Sequence, residues 1–167
     1  APQYATGSTA HINLSTLATF GPSFVARESS LVAEIAWNRA LSIDDPDNEL
    51  DHGRTRDAAA MQVIFTPTYR QALPGLDLGV PVGVRYSLAG CSSVTVWDCK
   101  GNGFFTVGLE GNVNNTWQFT LGYQQFFGSA IPFVDYSPIL AGGSPIYGQG
   151  NSQRDRNNIT FAMRYAF

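Results

Sequence analysis

Apolar and polar residues alternate with a period of two along most of this chain, and the pattern is strictest at residues 158–167. One side of this segment carries Ile159, Phe161, Met163, Tyr165 and Phe167, and the other side carries small or polar residues. Such alternation predicts a β-strand with one apolar face and one polar face. About ten residues of this kind suit a strand that crosses a membrane in a β-barrel. A core strand of a soluble β-sandwich is the alternative interpretation.

Alternation of the same kind predicts six further strands, separated by segments rich in Gly, Pro, Ser and Asn. The seven predicted strands cover residues 11–20, 30–41, 58–70, 76–88, 104–113, 117–124 and 158–167. The strand at 76–88 is the most regular, whereas Pro67 is expected to interrupt its own strand at a bulge or an end. A tight turn is predicted within 112–115, because Asn tolerates positive φ. We therefore expect an all-β fold, an antiparallel transmembrane β-barrel with about seven or eight strands in this chain.

The connections between the predicted strands alternate between short and long. The long loops are 42–57, 89–102 and 128–156, and the short turns are 71–75 and 112–116. Outer-membrane barrels have short periplasmic turns and long extracellular loops. If Phe167 lies at the periplasmic edge, we expect two belts of aromatic side chains, as membrane interfaces favour. Trp37, Tyr86 and Tyr123 would lie near the outer interface, and Tyr69, Trp117, Tyr165 and Phe167 near the inner one.

An odd number of strands conflicts with a closed bacterial barrel, which has an even number and at least eight. An unclosed sheet would also leave backbone groups unpaired in lipid. We therefore expect residues 1–167 to be the C-terminal portion of one larger barrel domain, with no separate second domain. The alternative is that residues 1–10 supply an eighth, weakly patterned strand around residues 3–6.

Composition argues against an ordinary soluble protein. Charged residues make up 14% of the chain, against about 25% in typical soluble domains. Lys100 is the only lysine and the nine arginines are dispersed, so no basic run indicates a nucleic-acid partner. No apolar run approaches the roughly 18 residues of a membrane-spanning helix. The first residues lack the pattern of a signal peptide, so the sequence of an exported protein would be processed or incomplete.

Few residues suggest a metal site. Cys91 and Cys99 are spaced for a small disulfide loop, which needs an oxidising compartment, and two unpaired thiols are the alternative. The two cysteines lack the spacing and the nearby His of a zinc site. The acidic segment 44–49 carries oxygen ligands for Ca²⁺ but lacks the spacing of a calcium loop, so we expect a solvated loop. No metal and no cofactor is predicted.

A catalytic site is not predicted either. His11 and His52 are the two histidines, and Ser8 and Ser15 lie near His11 in the sequence. The chain has no Gly-x-Ser-x-Gly motif, and the pattern places no nucleophile, base and orienting group together. We therefore predict that the protein is not an enzyme.

In a barrel whose apolar face meets lipid, the polar face lines the lumen. Both signs of charge occur on this predicted face, so its side chains could line a water-filled pore and set its ion selectivity. Arg70 and Asp77 flank one turn, and Arg85 and Glu110 lie on neighbouring strands, so such pairs could line the pore. In the alternative, a plugged lumen, they form structural ion pairs. The ten candidates are Glu34, Asn38, Gln62, Arg70, Asp77, Arg85, Glu110, Gln118, Gln124 and Arg164.

Several short segments resemble DUF1302, a proteobacterial outer-membrane family catalogued as a domain of unknown function. They are ATGS at 5–8, NLS at 13–15, EIAWNR at 34–39, TPTYRQ at 66–71, LPGLDL at 73–78 and VPVG at 80–83. The resemblance spans nearly the whole chain and matches the C-terminal portion of longer family members. It implies a large barrel that moves hydrophobic molecules across the outer membrane. The residues Phe161, Met163, Tyr165 and Phe167 also resemble the signal that assembles such barrels.

These observations together predict a porin-like channel of the bacterial outer membrane for small molecules, hydrophobic ones included. The expected partners are outer-membrane lipid, lipopolysaccharide, the barrel-assembly machinery and a small hydrophobic substrate, and homo-oligomer formation is left open. A non-transporting surface or structural barrel, whose extracellular loops bind partners or form assemblies, is the alternative. A third interpretation is a soluble lipocalin-like carrier, with the apolar face turned inward around a ligand.

Overall fold

A computed structural model describes residues 6–44, 50, 53–95 and 97–166 of the chain. Eight strands form one antiparallel sheet and two short strands form a second. The strands are β1 (Gly7–Phe20), β2 (Glu28–Ile43), β3 (Asp57–Leu73), β4 (Leu76–Gly79), β5 (Val82–Ala89), β6 (Gly103–Val113), β7 (Trp117–Phe127), β8 (Val134–Asp135), β9 (Ile146–Tyr147) and β10 (Asn158–Tyr165), with a 3₁₀ helix at Ser137–Ala141. The all-β prediction is therefore confirmed. None of the described residues forms a helix that is long and apolar enough to span a membrane.

The large sheet follows the order of the chain. Its strands are arranged β1-β2-β3-β4-β6-β7-β10, and β5 continues β4 by pairing with the same two neighbours, β3 and β6. With β4 and β5 counted as one strand and β8 and β9 left aside, each strand of this sheet thus pairs with the strand before it, as expected when successive antiparallel strands are joined by turns and loops at alternate ends. β1 and β10 are the outer strands, and within the described part of the chain they do not pair with each other. The sheet formed by these residues is therefore open.

The predicted strand at 76–88 is interrupted, and the predicted interruption at Pro67 is absent. Pro67 lies inside β3, opposite Ser29 of β2, while the neighbouring strand breaks at Val80 and Pro81 into β4 and β5. Val80 N still donates to Pro67 O at 3.0 Å, and Gly108 N donates to Pro81 O at 2.8 Å. Because proline has no N–H, each of these pairs keeps one bond of the two that an antiparallel pair normally exchanges. The sheet therefore has fewer backbone hydrogen bonds where these two prolines lie.

The loops differ from the prediction mainly in the segment 128–156, which was expected to lack regular structure. It contains β8, the 3₁₀ helix and β9. The cysteine segment forms the disulfide Cys91–Cys99, which settles the alternative of two free thiols. Residues 3–5 of the alternative eighth strand, residues 45–49 of the acidic segment, His52 and Phe167 lie outside the described residues.

The two tightest turns of the sheet lie side by side. One joins β3 to β4 and contains Gly75 at φ 78°, and the other joins β6 to β7 and contains Asn114 and Asn115 at φ 50° and 55°. The predicted positive φ at Asn is therefore confirmed. Asn114 N donates to Gly75 O at 2.8 Å, so the two turns are hydrogen-bonded to each other. A side chain at Gly75 would collide with the side chain of Asn114.

The register of the sheet separates apolar from polar side chains. Leu109, Leu121 and Phe161 are direct neighbours across β6, β7 and β10, and the same alignment continues through the other strands. This surface, the apolar face, is open: Phe161 is 67% exposed. By contrast, the buried apolar residues in the described part of the chain are Ala26, Ala40, Ile43, Ala58, Ala60, Cys91, Cys99 and Phe126. Apart from Phe126 and Ile43, the buried apolar residues are small, and many large apolar side chains lie on the surface, the reverse of a soluble core.

Candidate functional site

The sheet has two unlike ends. The connections 21–27, 74–75 and 114–116 lie at one end, here the short-turn end. The connections 44–56, 90–102 and 128–157 lie at the opposite end, here the long-loop end. The predicted alternation of short and long connections is thus present in the structure.

Aromatic side chains occupy both ends of the apolar face. At the short-turn end, the rings of Trp117 and Tyr165 face each other with centroids 4.7 Å apart. At the long-loop end, Tyr86 stacks on Phe127 at 6.2 Å. The register also places the other predicted girdle residues, Trp37, Tyr69 and Tyr123, and the predicted assembly-signal residues Phe161 and Met163 on this face. Phe127 is an addition to the predicted set.

All ten side chains predicted to line a lumen fall on the opposite surface, the polar face. Glu34, Gln62 and Arg85 are direct neighbours across β2, β3 and β5. Further along, the register aligns Asp77, Asn112, Gln118 and Arg164. The remaining members, Asn38, Arg70, Glu110 and Gln124, have the same parity on their strands. The alternation in the sequence therefore assigned every one of the ten to its face.

The two pairs of opposite charge named from the sequence differ in the structure. Arg70 Nη1 lies 3.0 Å from Asp77 Oδ2, and Arg70 Nε lies 3.1 Å from Glu28 Oε2, so the pair across the first short turn is present and gains a second carboxylate. Arg85 and Glu110 do not form an ion pair: Arg85 is opposite Phe104, whereas Glu110 is opposite Gly79, closer to the short-turn end. Arg85 is thus left near the long-loop end without a carboxylate partner among the described residues.

The disulfide loop folds back over the polar face. Ser92 Oγ donates to Asn38 Oδ1 at 3.0 Å, and Asn38 Nδ2 donates to Thr95 Oγ1 at 3.3 Å. Asn38 is fully buried as a result, with 0% exposure. This predicted lumen residue therefore lies beneath a loop and holds it in place. Residues 91–95 thus cover part of the polar face.

Two further buried asparagines attach the loop 128–157 to the sheet and to the disulfide loop. Asn102 Nδ2 donates to Cys99 O at 2.9 Å and to Gln149 O at 3.0 Å, and its Oδ1 accepts a bond from Ser129 N at 3.2 Å. Asn151 Nδ2 donates to the carbonyls of Gly103 and Phe127, both at 3.0 Å, where β6 and β7 meet. Buried amides with several bonds of this kind fix a loop in one position.

A cavity of about 420 Å³ lies where these loops meet the polar face. Arg85, Phe104 and Phe126 of the sheet line it, together with Trp97 and Asp98 of the disulfide loop. The lining also includes Cys99, Arg54, Phe133, Gln124, Asn158 and residues 148 and 150–153 of the long loop. The cavity therefore combines guanidinium groups with aromatic rings.

Rings and guanidinium groups contact each other around this cavity. Phe104 and Phe126 meet edge to face with centroids 5.9 Å apart, and the Arg85 guanidinium lies 6.0 Å from the Phe104 ring. The Arg54 guanidinium lies 4.6 Å from the Tyr147 ring and 5.7 Å from the Phe133 ring.

Sequence reasoning did not single out Arg54, Trp97, Phe104, Phe126 or Phe133. A signal existed, because the doublets Phe104-Phe105 and Phe126-Phe127 place one ring on each face of a strand. An aromatic residue on the polar face marks a contact that alternation alone does not explain.

Among the described residues, no hydrogen bond joins His11 to Ser8 or Ser15. Its Nε2 lies 3.1 Å from Thr9 Oγ1, whereas the Ser8 hydroxyl bonds to the Ser42 hydroxyl at 2.7 Å. Ser15 faces Glu34 across the β1–β2 pair. Among the residues with described positions, no group of three His, Cys, Asp or Glu side chains could hold a metal ion.

Comparison with known proteins gives one result. The model of the family described as "Protein of unknown function (DUF1302)" matches residues 1–167. No curated protein and no solved structure matches the chain significantly.

Proposed function

Since the chain belongs to the DUF1302 family of proteins of unknown function, we propose its role from its geometry: it forms part of a transmembrane β-barrel of the bacterial outer membrane that acts as a channel for small molecules. The observation that carries the proposal is the two-faced sheet. Its apolar face is exposed and bordered by aromatic rings, and its polar face carries both signs of charge. Lipid-facing and lumen-facing side chains alternate in this way in outer-membrane barrels.

The lipocalin-like carrier is disfavoured by the position of the loops. In such a carrier the apolar face surrounds the ligand and the polar face meets solvent. Here the disulfide loop packs on the polar face through Asn38, and a large cavity lies on that side. The apolar side chains stay open, with Leu14 at 66% exposure. Loops that fold inward over a polar lumen account for both observations.

The open edges of the sheet support a larger barrel. β1 and β10 present backbone N–H and C=O groups that lipid cannot satisfy, so strands with these edges need partners inside a membrane. We propose that further strands of the same protein close the barrel. The outer membrane fits best, because long and short connections alternate between the two ends.

A second candidate function is a non-transporting surface barrel that binds partners through its loops. The loop 128–157 favours it, because Leu140 is 94% exposed and Tyr136 is 63% exposed. Exposed apolar residues in a long loop are suited to contact another molecule. The channel is preferred because charged side chains of the polar face remain open along the sheet.

Conductance distinguishes the two candidates. We would purify the full-length protein in detergent, confirm folding by its shift on unheated gels, and record from planar bilayers. A channel gives discrete conductance steps; Glu110→Gln moves the reversal potential toward anion selectivity and Arg85→Gln moves it toward cation selectivity. Leu121→Ala on the apolar face is the matched control and leaves selectivity unchanged. A folded barrel without conductance would favour the second candidate.

A further inference from the structure

We propose that the cavity at the long-loop end binds an amphipathic organic anion, a carboxylate whose acidic group contacts Arg85 and Arg54 and whose apolar body packs against Phe104, Phe126 and Trp97. The inference rests on the proposed function in one respect, since it treats the polar face as the side that a solute reaches. Binding itself does not require conduction.

The charge of the cavity favours an anion. Arg54 and Arg85 line it and are half-buried, and Asp98 is the one acidic residue among the described residues of the lining. In the described part of the chain, neither guanidinium lies within 4.0 Å of a carboxylate, whereas Arg39 and Arg70 do. A partly buried cation without a counter-charge is unfavourable, so an anionic ligand would supply a missing partner. Guanidinium groups bind carboxylates with strong, directed hydrogen bonds.

The aromatic lining favours a ligand with an apolar body. Phe104 and Phe126 lie on the polar face, so contact with lipid cannot explain them. Phe126 is only 9% exposed and supports Phe104 by an edge-to-face contact. Trp97 reaches the same cavity from the disulfide loop. A volume of about 420 Å³ is in the range of small-molecule sites, enough for an aromatic ring with a short chain.

A cationic ligand is the main alternative, because aromatic rings also bind cations. Here the rings are already occupied by the protein's own cations: Arg85 lies over Phe104, and Arg54 lies over Tyr147 and Phe133. A ligand cation would be repelled by the two guanidinium groups. It would also have to displace them from the rings that they contact. The arrangement therefore disfavours a cation.

The loops hold the site in one conformation before a ligand binds. The Cys91–Cys99 disulfide fixes the segment that carries Trp97, and Asn151 fixes the long-loop wall to the ends of β6 and β7. A preformed site binds with less loss of conformational freedom. Its place at the long-loop end makes it an entry site in the proposed channel.

The test is binding of 4-phenylbutyrate to the full-length protein in detergent at low ionic strength, measured by calorimetry. The comparison ligands are 4-phenylbutan-1-ol, 4-phenylbutylamine and inorganic phosphate, which remove the charge, reverse it, or remove the apolar body. We expect the carboxylate to bind at least about tenfold more tightly than each of them. Equal affinity for the alcohol or for phosphate would overturn the proposal.

Variants test whether the ligand binds in this cavity. Arg85→Gln should weaken phenylbutyrate binding about tenfold, and Asp98→Asn should strengthen it by removing the one opposing charge. Arg164→Gln, on the same face but outside the cavity, is the matched control and should bind like the wild type. If Arg85→Gln does not fold, Arg54→Gln and the ligand series on the wild type still decide the question. Wild-type affinity in folded Arg85→Gln would contradict the assignment.

Conductance of the same samples separates this inference from the proposed function. A conducting protein that does not distinguish the carboxylate from the alcohol refutes only the binding site. A non-conducting barrel that binds phenylbutyrate through Arg85 refutes only the channel.

Discussion

Trp117 and Tyr165 face each other across the β7–β10 pair, with ring centroids 4.7 Å apart on the apolar face. Aromatic pairs of this kind contribute about 0.5–1.5 kcal/mol beyond their buried area. We expect a double-mutant cycle of Trp117→Ala and Tyr165→Ala to give a coupling energy in that range, measured by urea unfolding in lipid vesicles. The pair Trp37→Ala and Tyr165→Ala is the control and should be additive. Additive effects in the first cycle would contradict the prediction.

The transmembrane proposal predicts that neighbouring positions of β7 differ in their tolerance of arginine. Leu121 lies at the centre of the apolar face, between Leu109 and Phe161, whereas Thr120 lies on the polar face. Leu121→Arg should reduce the free energy of folding into vesicles by about 2–4 kcal/mol, because an arginine at mid-membrane depth is costly. Thr120→Arg is the matched control and should fold normally. Equal folding of both variants would indicate that the apolar face does not meet lipid.

The disulfide should stabilise the loop that covers the polar face. Cys91 and Cys99 are eight positions apart, and closing so small a loop removes about 2–3 kcal/mol of chain entropy from the unfolded state. The double variant Cys91→Ser/Cys99→Ser should unfold at lower urea and expose Trp97 to acrylamide quenching. A reductant should reproduce the effect in the wild type and have none in the double variant. Unchanged quenching would mean that hydrogen bonds such as those from Asn38 and Asn102 hold the loop without the disulfide.

Asn102 should decide whether the loop 128–157 stays attached. Asn102→Ala removes donors to Cys99 O and Gln149 O and an acceptor for Ser129 N. Leaving such buried groups unsatisfied costs about 1–3 kcal/mol each. Amide exchange measured by mass spectrometry should therefore accelerate across residues 129–151. Gln149→Ala is the matched control, because the bond from Asn102 uses the backbone carbonyl of residue 149. Similar exchange in both variants would count against this role of Asn102.

Acid should loosen the start of the 3₁₀ helix. Asp135 Oδ1 accepts a hydrogen bond from Ser137 N at 2.9 Å, and bonds from the Ser137 backbone and hydroxyl lower the pKa of this carboxyl below its usual value. A lowered pKa means that the contribution is complete above the unfolded value of about 3.9 and is lost as the pH falls through the folded-state value. The Ser137 amide shift, followed by NMR, should move in that range. Asp135→Asn should remove the transition, and a transition at the unfolded value would contradict the lowered pKa.

The strands and their two faces could be predicted because alternation is a local property. Each strand carries its own pattern, so Glu34 and Arg164 were assigned to one face without knowledge of the pairing. The break at Pro81 was not predicted, because Pro81 has the parity of the polar positions and leaves the alternation intact. Pro67 was expected to break β3, but its carbonyl still accepts a bond from Val80 and its strand continues.

The cavity could not be predicted, because it depends on contacts between distant loops. Asn102 bonds to Gln149, 47 positions away, and Ser92 bonds to Asn38, 54 positions away. Segments rich in Gly, Ser and Asn carry no periodicity that would indicate such pairs. Arg85 and Glu110 lie on neighbouring strands as predicted. Whether they form an ion pair could not be predicted for a related reason, because neighbouring strands do not determine how far apart along their length two residues lie.

The bond between the turns at Gly75 and Asn114 has a practical consequence for labelling this protein. Both turns adopt left-handed backbone conformations, and Gly75 has no room for a side chain. An epitope or fluorophore-binding peptide inserted in either turn would separate the two and disturb four strands at once. Gly142 and Gly143 follow the 3₁₀ helix in an exposed part of the loop 128–157. An insertion between them would leave the strands of the large sheet unchanged. This position is therefore suited to an inserted tag. The accessibility of the tag on intact cells would then show which end of the sheet faces the medium.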